Sequence, residues 1–425
     1  MSASALDRRL QFLALYVTRF AGGFGLVTLA TLLPTYINLF APSDFVVGLF
    51  TAGLTLGQAV AIVPLAWAGD RYDKRLVLLF SLALSLLTYV AFAFVGGSLS
   101  FVLVRGLQGA AITGTSLIAL STVGELSPKR ERANHIGKAN AARLAAGVGG
   151  PVAAGAIYSA YGFEVVYSIL VVLFALAFLG VLVFVPRDET RIPGFPFTGL
   201  AFNARIRTLA GFRAQYAVAV TLVRTWVPIY AGVEATRGGL GYSTLATGGL
   251  VVGCVIAAEK VTNMLAQPYT GRLSDRFGRS VFVFAGGGTY GLVALAVPFS
   301  PAVGAALSLP SAFPILGDLS AAFLPLVALN GLLGVTDAFR EPASMALFAD
   351  EGADSESSGV ASSFGIREIV WRPGSVAAPL LGGLLMAGPG MAWVFYVGGV
   401  AAVSGAVTFV VLLTRSFGRQ ALTSW

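Results

Sequence analysis

Charged side chains occur inside segments that are otherwise almost free of charge, and they are the strongest candidates for chemistry in this chain. Asp337, Arg340 and Glu341 share one such segment, while Arg105 and Arg224 lie in two others. An ionised side chain at the centre of a membrane costs at least about 2.5 kcal/mol on insertion scales, so it must face protein, water or a partner of opposite charge. We therefore expect these residues to face an interior cavity or to take part in proton transfer.

The Asp337 cluster has the spacing of one helical face. Arg340 follows Asp337 by three residues and Glu341 follows it by four, so the three side chains project from one side of a helix. One arginine neutralises one carboxylate but not two. Two buried acids that share one cation do not both stay ionised at neutral pH, so one of them is expected to bind and release a proton. The alternative is a static ion pair that packs this helix against a neighbour.

The other charged residues in apolar segments are expected to have different roles. Arg105 and Arg224 have no acidic residue three or four positions away, so they either find partners on other helices or present positive charge to a substrate. A structural role is favoured for Glu368, because a basic residue four positions later completes a helix-stabilising pair. Structure is also favoured for Glu259, because the neighbouring lysine can extend its charged end to the membrane interface.

The helices that must position these residues are read from hydrophobicity. Of the 425 residues, 56% are hydrophobic and only 11% are charged, against about 25% charged in a typical soluble domain. A helix of about twenty apolar residues crosses about 30 Å of hydrocarbon. Twelve such runs occur, at 12–40, 45–68, 76–96, 99–123, 136–160, 165–185, 212–233, 244–268, 281–299, 321–348, 361–387 and 391–414. The sequence therefore predicts an all-α membrane protein with twelve transmembrane helices.

Basic residues are concentrated in the termini and in alternate connecting segments, as at Arg8, Arg71, Arg276 and Arg415. The intervening segments are nearly free of lysine and arginine, with Arg237 the clear exception. Since positive residues stay on the cytoplasmic side, both termini are expected there, in a multi-pass protein of the plasma membrane. The net charge of +8 thus reports topology and not nucleic-acid binding, because the basic residues form neither one face nor one tail.

The two halves of the chain share landmarks in the same order, which predicts an internal repeat. The matched residues are Asp70 and Asp275, Arg71 and Arg276, Gly106 and Gly331, Gly109 and Gly334, Pro151 and Pro379, and Gly155 and Gly383. We therefore expect two six-helix bundles, at 1–185 and 211–425, joined by a cytoplasmic linker at 186–210. Two similar halves of this kind are typical of transporters, because they can rock about a site held between them.

The segment 271–279 resembles the signature that transporters of the major facilitator superfamily have in the cytoplasmic loop after the second helix of a half. The matching residues are Gly271, Asp275, Arg276, Gly278 and Arg279. The first-half copy keeps Asp70 and Arg71 but has Ala66 and Asp73 where the family has glycines. The resemblance implies that these residues form a cytoplasmic gate, in which Asp and Arg hold one conformation shut, and the departures put the first-half copy in doubt.

Two further elements resemble motifs of the same superfamily. Arg105, with Gln108 and Gly109 after it, is similar to a motif associated with proton transfer or with the cavity. In the fifth run, Gly150, Pro151 and Gly155 resemble an element that is typical of antiporters in this superfamily. The matching residues in the eleventh run are Pro379, Gly382 and Gly383. The resemblance covers essentially the whole chain, and these motifs favour the drug/proton antiporter branch.

The resemblance implies secondary active transport of a small organic molecule by alternating access, with proton-coupled export as the preferred direction. The alternative is an uptake symporter or uniporter for an organic anion, with Arg105 and Arg224 binding the negative group. A non-transporting membrane sensor or a membrane-embedded enzyme is a more remote alternative, because the sequence has no nucleophile paired with a base. The partners expected are the substrate, protons and the lipid bilayer, and the protein is expected to act as a monomer.

The sequence contains few residues that could bind a cofactor or a metal ion. Cys254 is the only cysteine and lies in an apolar run, so a disulfide or a thiolate metal site within one chain is excluded. His135 is the only histidine and is expected to be a solvated residue of a basic loop. No Gly-rich phosphate-binding motif of the ATPase kind is present. We therefore expect neither a cofactor nor a metal ion.

Overall fold

The structure is a computed structural model that describes residues 3–128, 131–188, 204–353 and 360–424. Its helices are α1 Ala3–Phe40, α2 Asp44–Arg71, α3 Lys74–Phe92, α4 Ser98–Leu126, α5 Arg132–Phe184, α6 Ala204–Gly232, α7 Gly248–Phe277, α8 Arg279–Ala296, α9 Ser300–Ala306, α10 Phe323–Ala353, α11 Val360–Ala387, α12 Met391–Phe417 and α13 Ala421–Ser424. A short antiparallel hairpin, β1 Ala312–Phe313 and β2 Gly317–Asp318, lies between α9 and α10. Each run predicted as a membrane span overlaps one of these helices.

Within the described residues, ten helical stretches are long and apolar enough to cross a membrane. The difference from the twelve predicted runs has two sources. The helix α5 contains two of the runs in 53 residues, and its backbone breaks at Gly162, where φ is 76°. The helix α6 is not among the ten because polar residues, Arg213 and Arg224 among them, lower its hydropathy. The prediction of an all-α membrane fold is confirmed.

The chain forms two compact units. Unit 1 comprises Met1–Pro42, Leu49–Pro196 and Ala246–Gly253, and unit 2 comprises Ser43–Gly48, Phe197–Leu245 and Cys254–Trp425. Of the linker predicted at 186–210, residues 189–203 lie outside the part of the chain that the structure describes.

In unit 1, α1 packs against α4 and α5, and α3 packs against the same two helices. Lipid tails are as apolar as leucine, so membrane helices associate through close packing and interhelical hydrogen bonds. The α2–α4 contact shows the close packing: a Cβ atom on Gly109 would overlap the backbone carbonyl of Leu54. A Cβ atom on Gly106, one helical turn earlier, would meet nothing closer than 3.7 Å.

In unit 2, α6 packs against α11 and α12, and α8 packs against α10 and α12. The α7–α10 contact is held by side chains of α7 that donate to backbone carbonyls of α10: Thr262 Oγ1 to Gly331 at 2.6 Å and Asn263 Nδ2 to Gly334 at 3.0 Å. Gly334 is also a point of close approach, since its Cβ atom would overlap the Glu259 carbonyl. Gly331 would accept a Cβ atom with its nearest neighbour 3.5 Å away.

This pattern predicts that the second glycine of each pair, and not the first, is required for stability. Gly109→Ala and Gly334→Ala should each lower the melting temperature of the detergent-purified protein by several degrees, because overpacking a contact costs about 1–3 kcal/mol. Gly106→Ala and Gly331→Ala are the matched controls and should change it little. Equal effects within each pair, measured by intrinsic fluorescence during heating, would contradict the account of these helix contacts.

Candidate functional site

A buried group of ion pairs joins α6 and α10 in unit 2, with Asp337 at its centre. Arg340 donates to Asp337 Oδ1 from Nε at 3.0 Å and from Nη2 at 2.8 Å. Arg224 Nη2 donates to Asp337 Oδ2 at 2.6 Å, and the Tyr216 hydroxyl donates to Oδ1 at 3.1 Å. Tyr216 and Arg224 share a face of α6 because eight residues separate them, which is about two turns. Asp337 is therefore held by two cations and a hydroxyl, with its side chain 0% exposed.

Arg224 connects Asp337 to a second acid, Glu259 on α7. Its Nε donates to Glu259 Oε1 at 2.6 Å, and Lys260 Nζ lies 2.8 Å from Glu259 Oε2. We call the set of Arg224, Glu259, Lys260, Asp337 and Arg340 the ion network. With all members ionised it contains three cations and two carboxylates, so it has one positive charge in excess.

The accessible part of the ion network is positive. Asp337 and Glu259 have side-chain exposures of 0% and 6%, whereas Arg224 and Lys260 reach 32% and 33%. Arg340 is buried, and its guanidinium lies 4.4 Å from the ring centroid of Tyr216. A ligand that approaches the ion network therefore meets Arg224 and Lys260 before it meets either carboxylate.

A second tyrosine lies beside Tyr216 and is a residue that the sequence did not single out. Tyr290 on α8 is fully buried, and its ring centroid is 5.5 Å from that of Tyr216. Its hydroxyl has no hydrogen-bond partner among the described residues. Buried polar atoms normally have partners, so this hydroxyl is available to a bound water or ligand.

The structure separates two acids that the sequence placed together. Asp337 binds Arg340 as expected but also Arg224, which is 113 residues distant in sequence. Glu341 lies outside the ion network; its Oε1 is 3.7 Å from Arg367 Nη2 on α11, and its side chain is 31% exposed. The expectation that Asp337 and Glu341 share a single cation therefore differs from the structure. The spacing along one helix gives no information about a cation supplied by another helix.

A second charged cluster joins α6 to α11 around Glu368. Its Oε1 lies 2.9 Å from Arg367 Nη1 and 3.6 Å from Arg213 Nη2. The expected pair with Arg372 also forms, at 3.8 Å. Arg213 donates from Nε to the Arg367 carbonyl at 2.6 Å and lies over the Trp371 ring at 4.6 Å. These contacts tie α6 to α11, in accord with the structural role expected for Glu368.

Arg105 lies in unit 1 and is not part of the ion network. Its side chain is buried, and it donates from Nε to the Phe50 carbonyl at 3.2 Å and from Nη1 to Gln108 Oε1 at 2.6 Å. Gln108 in turn donates to the Tyr89 hydroxyl at 3.0 Å. In the described part of the chain Arg105 has no acidic partner, so neutral oxygens alone compensate its charge.

The motif at 271–279 spans the end of α7 and the start of α8. Gly278 connects the two helices with φ 98°, a conformation that favours glycine, and Gly271 lies one and a half turns before the end of α7. Arg279 pairs with Asp275 at 2.8 Å and also with Asp350 near the end of α10. Arg276 stacks on Phe277 with its guanidinium 5.4 Å from the ring centroid. The ion pairs of Arg279 thus connect three helices on the side that we expect to be cytoplasmic.

In the first-half copy, Asp70 and Arg71 lie at the end of α2, and Lys74, which the sequence motif does not single out, has a central position. Lys74 is buried at 2% exposure and pairs with Glu125 at 3.0 Å and Asp188 at 2.9 Å. Asp73, which replaces a family glycine, caps α3 by accepting from the Arg75 backbone at 2.9 Å. The internal repeat could have identified the Lys74–Glu125 pair, because Glu125 follows Gly109 at the same spacing as Asp350 follows Gly334.

The antiporter-like residues lie where backbones approach closely. Gly150 and Pro151 lie inside α5, and Pro379 lies inside α11. In unit 1, Gly155 of α5 packs against Gly249, and in unit 2, Gly383 of α11 packs against Gly48; Gly382 faces the Trp226 indole. The helical kink expected at prolines and the small size of these glycines suit them to helix contacts.

Three expectations concern absences or single residues. Among the residues that the structure describes, no group of three or more His, Cys, Asp or Glu side chains is placed to hold a metal ion. Cys254 is a half-buried free thiol. His135 differs from the expectation of a solvated loop residue, because it lies on α5 and its ring stacks on Phe12 with centroids 3.7 Å apart.

Comparison with known proteins identifies the family. The family model described as Major Facilitator Superfamily matches residues 15–303 and 243–423. The chain therefore belongs to the major facilitator superfamily. It is a multi-pass integral membrane protein of a transporter family that carries small molecules, and not an enzyme.

The individual relatives are distant. An uncharacterised MFS-type transporter of Methanocaldococcus jannaschii is 22% identical over 276 residues, which are 63% of this chain and 69% of that protein. An MFS antiporter of Candida albicans is 24% identical over 194 residues, 43% of this chain, and the match spans only 27% of that protein.

Solved structures share the fold. The peptide transporter POT in complex with sulfate superposes with a TM-score of 0.71 at 12% identity and covers 98% of this chain and 96% of its own. A bacterial homologue of the human lysosomal transporter Spinster, inward-facing and unoccupied, superposes with a TM-score of 0.63 at 16% identity and covers 99% of this chain and 98% of its own. At these identities the likeness establishes the fold alone.

The geometry of the ion network predicts a specific pattern of stabilities. Asp337→Asn leaves Arg224 and Arg340 without their shared carboxylate, and breaking a buried pair in this way costs about 3–5 kcal/mol. The variant should melt at a clearly lower temperature than the wild type. Adding Arg340→Gln should restore part of the loss, because the second change removes an uncompensated buried cation.

Glu341→Gln is the control on the same helix and should melt close to the wild type, since Glu341 lies outside the ion network. Strictly additive effects of Asp337→Asn and Arg340→Gln in thermal unfolding would contradict the pairing.

Proposed function

We propose that this chain is a proton-coupled secondary transporter that exports a small organic molecule by alternating access, and that the ion network is its coupling centre. The observation that supports this proposal is the position of Asp337: a fully buried carboxylate whose counter-ion Arg224 is shared with a second acid and is one-third exposed. Arg224 and Arg340 hold Asp337 ionised in this arrangement, so a proton binds Asp337 when a ligand or a helix movement draws Arg224 away from it. A proton and a charged ligand therefore act on the same small group of side chains.

Proton binding and ligand binding are linked through Arg224. A proton on Asp337 removes the negative charge that holds Arg224 Nη2, so Arg224 keeps only its contact with Glu259 and gains freedom to turn toward a ligand. Arg340 then loses its carboxylate as well, and the excess charge of the ion network rises from one to two. Because an uncompensated charge is costly in the membrane interior, the protonated network favours either a different helix arrangement or a bound anion.

The charge of the substrate decides the direction of coupling. A cationic or neutral substrate whose donors bind Asp337 or Glu259 competes with the proton, and this competition produces antiport. An anionic substrate that binds Arg224 is favoured by the same proton, which produces symport. We favour antiport, because α5 and α11 contain the antiporter-like elements and because the chain is weakly similar to the MFS antiporter of Candida albicans.

The second candidate is uptake of an organic anion together with protons, or its uniport. The positive excess of the ion network and the exposure of Arg224 and Lys260 favour it. Arg105 is a less suitable anion ligand than the sequence indicated, because its side chain is enclosed at 2% exposure and bound by neutral oxygens.

For the domain bounds, the membrane orientation, the cellular location and the oligomeric state we keep the proposals made from the sequence. We assign the transporting halves to 1–185 and 211–425 with a linker at 186–210, place both termini in the cytoplasm and the protein in the plasma membrane, and expect a monomer. The motif residues at 271–279, with Asp70 and Arg71, are assigned to the cytoplasmic gate. The alternate distribution of basic residues supports this orientation.

The coupling role makes a direct prediction for transport. Once a substrate has been found by metabolite accumulation or growth inhibition in a deletion strain, Asp337→Asn in proteoliposomes should abolish accumulation driven by a pH gradient. Energy-independent exchange of labelled for unlabelled substrate should remain measurable, because exchange needs no net proton movement. Asp318→Asn, an exposed change in the β-hairpin, is the matched control.

If Asp337→Asn and Glu341→Gln both retained full gradient-driven transport, the coupling site would have to lie elsewhere, with Glu259 and Glu368 next to be tested. Inverted membrane vesicles decide the direction: an exporter accumulates substrate when protons are pumped into them. Accumulation only in right-side-out vesicles under an inward proton gradient would replace export by the uptake alternative.

A further inference from the structure

A cavity of about 500 Å³ lies in unit 1 between the first turns of α1 and α5. Pockets that hold small ligands have volumes of about 300–1,000 Å³, so this one is large enough for a polar headgroup. The ion network lies wholly in unit 2, and none of the residues of this cavity belongs to the ion network, the gate or the antiporter-like motifs.

The cavity is basic. Arg8, Arg9 and Lys138 line it, and among the residues that the structure describes Glu131 is the only acidic one in the lining. Arg8 and Lys138 are exposed, so both are open to an approaching ligand. Among the described lining residues the basic side chains outnumber the acidic ones, and the positive field of the exposed Arg8 and Lys138 selects for a ligand with negative charge.

One wall of the cavity is aromatic and held in place. The His135 ring stacks on Phe12 at an angle of 13°, and its Nδ1 is within 2.6 Å of the Tyr16 hydroxyl. Phe12 is buried, with 3% of its surface exposed, whereas Tyr16 is half-buried. The wall links α1 to α5 and gives the cavity a fixed apolar side next to its basic rim.

The position of the cavity identifies the source of the ligand. Arg8 and Arg9 come shortly before the first apolar run of α1, which begins at residue 12, so we expect their charged ends at the level of the lipid headgroups. Basic residues beside a membrane-spanning helix attract anionic lipids, each contributing about fivefold to binding at the surface. A ligand with a phosphate and an adjoining acyl chain would place its charge on the basic rim and its chain along the lipid-facing helix surfaces.

We propose that this cavity binds the phosphate headgroup of an anionic phospholipid and so clamps α1 to α5 at the membrane surface. The phosphate accepts from Arg8 and Lys138, and the glycerol region packs against the His135 ring, which Phe12 supports from behind. A soluble phosphate ester has the same charged group but no acyl chain, and the bilayer supplies the lipid at far higher local concentration.

The test uses the full-length protein in nanodiscs of phosphatidylcholine with increasing amounts of phosphatidylglycerol. Bound phosphatidylglycerol is counted by native mass spectrometry, and the melting temperature is measured in parallel. The variant is Arg8→Gln with Lys138→Gln, and the matched control is Arg415→Gln with Arg419→Gln, which removes the same charge from exposed positions of unit 2. Surface changes of this kind have little effect on folding.

We expect phosphatidylglycerol to raise the melting temperature of the wild type and of the control equally. The Arg8/Lys138 variant should need about 30-fold more of this lipid for the same shift, because two charges are removed. Lys138→Gln alone should show about a fivefold change, which keeps the test valid if the double variant folds poorly.

Two results would overturn the proposal. Equal responses of the two double variants would mean that the lipid acts on the general surface charge and not on this cavity. A full shift produced by glycerol 3-phosphate or inorganic phosphate in pure phosphatidylcholine nanodiscs would mean that the ligand is a soluble phosphate.

Discussion

The cost of an unpaired charge in a membrane interior governs how this protein is built. Asp337 and Glu259 are almost completely buried and stay so because Arg224 bridges them, while Arg340 and Lys260 complete the compensation. The same constraint makes the arrangement responsive, because adding one proton or one ionic ligand leaves another charge without a partner. Buried ion pairs contribute little net stability once desolvation is counted. We therefore propose a switching role for this network of five charged residues.

A comparison of matched positions in the two units shows that the acids of this network have no counterpart in unit 1. Arg105 Nε binds the Phe50 carbonyl in unit 1, and at the matched positions Asn330 Nδ2 binds the Val255 carbonyl at 2.5 Å in unit 2. Gly109 and Gly334, which allow close helix contacts, also lie at matched positions of the two units. The ion pairs Lys74–Glu125 and Arg279–Asp350 are matched in the same way. The scaffold is thus common to both units. The acids are not, because unit 1 has Leu54 and Ile112 where unit 2 has Glu259 and Asp337.

The sequence predicted the features that depend on local spacing. The helices follow from runs of apolar residues, and the pairs Asp337–Arg340 and Glu368–Arg372 follow from positions three or four apart. The contact of Arg224 with Asp337 could not be predicted in this way, because it depends on how α6 packs against α10. The stacking of His135 on Phe12 was likewise invisible, since it arises from a contact between helices distant in sequence. The Lys74–Glu125 pair also joins two helices, and only a comparison of the two halves of the chain could have indicated it.

We propose Asp337 as the side chain that takes up the proton. Infrared difference spectra of the purified protein, recorded between neutral and acidic pH, detect the carbonyl stretch of a carboxylic acid as it becomes protonated. We expect a band from a buried, weakly solvated carboxylic acid in the wild type and in Glu341→Gln. This band should be lost in Asp337→Asn. The same band with undiminished intensity in Asp337→Asn would show that the proton binds elsewhere and would contradict the account.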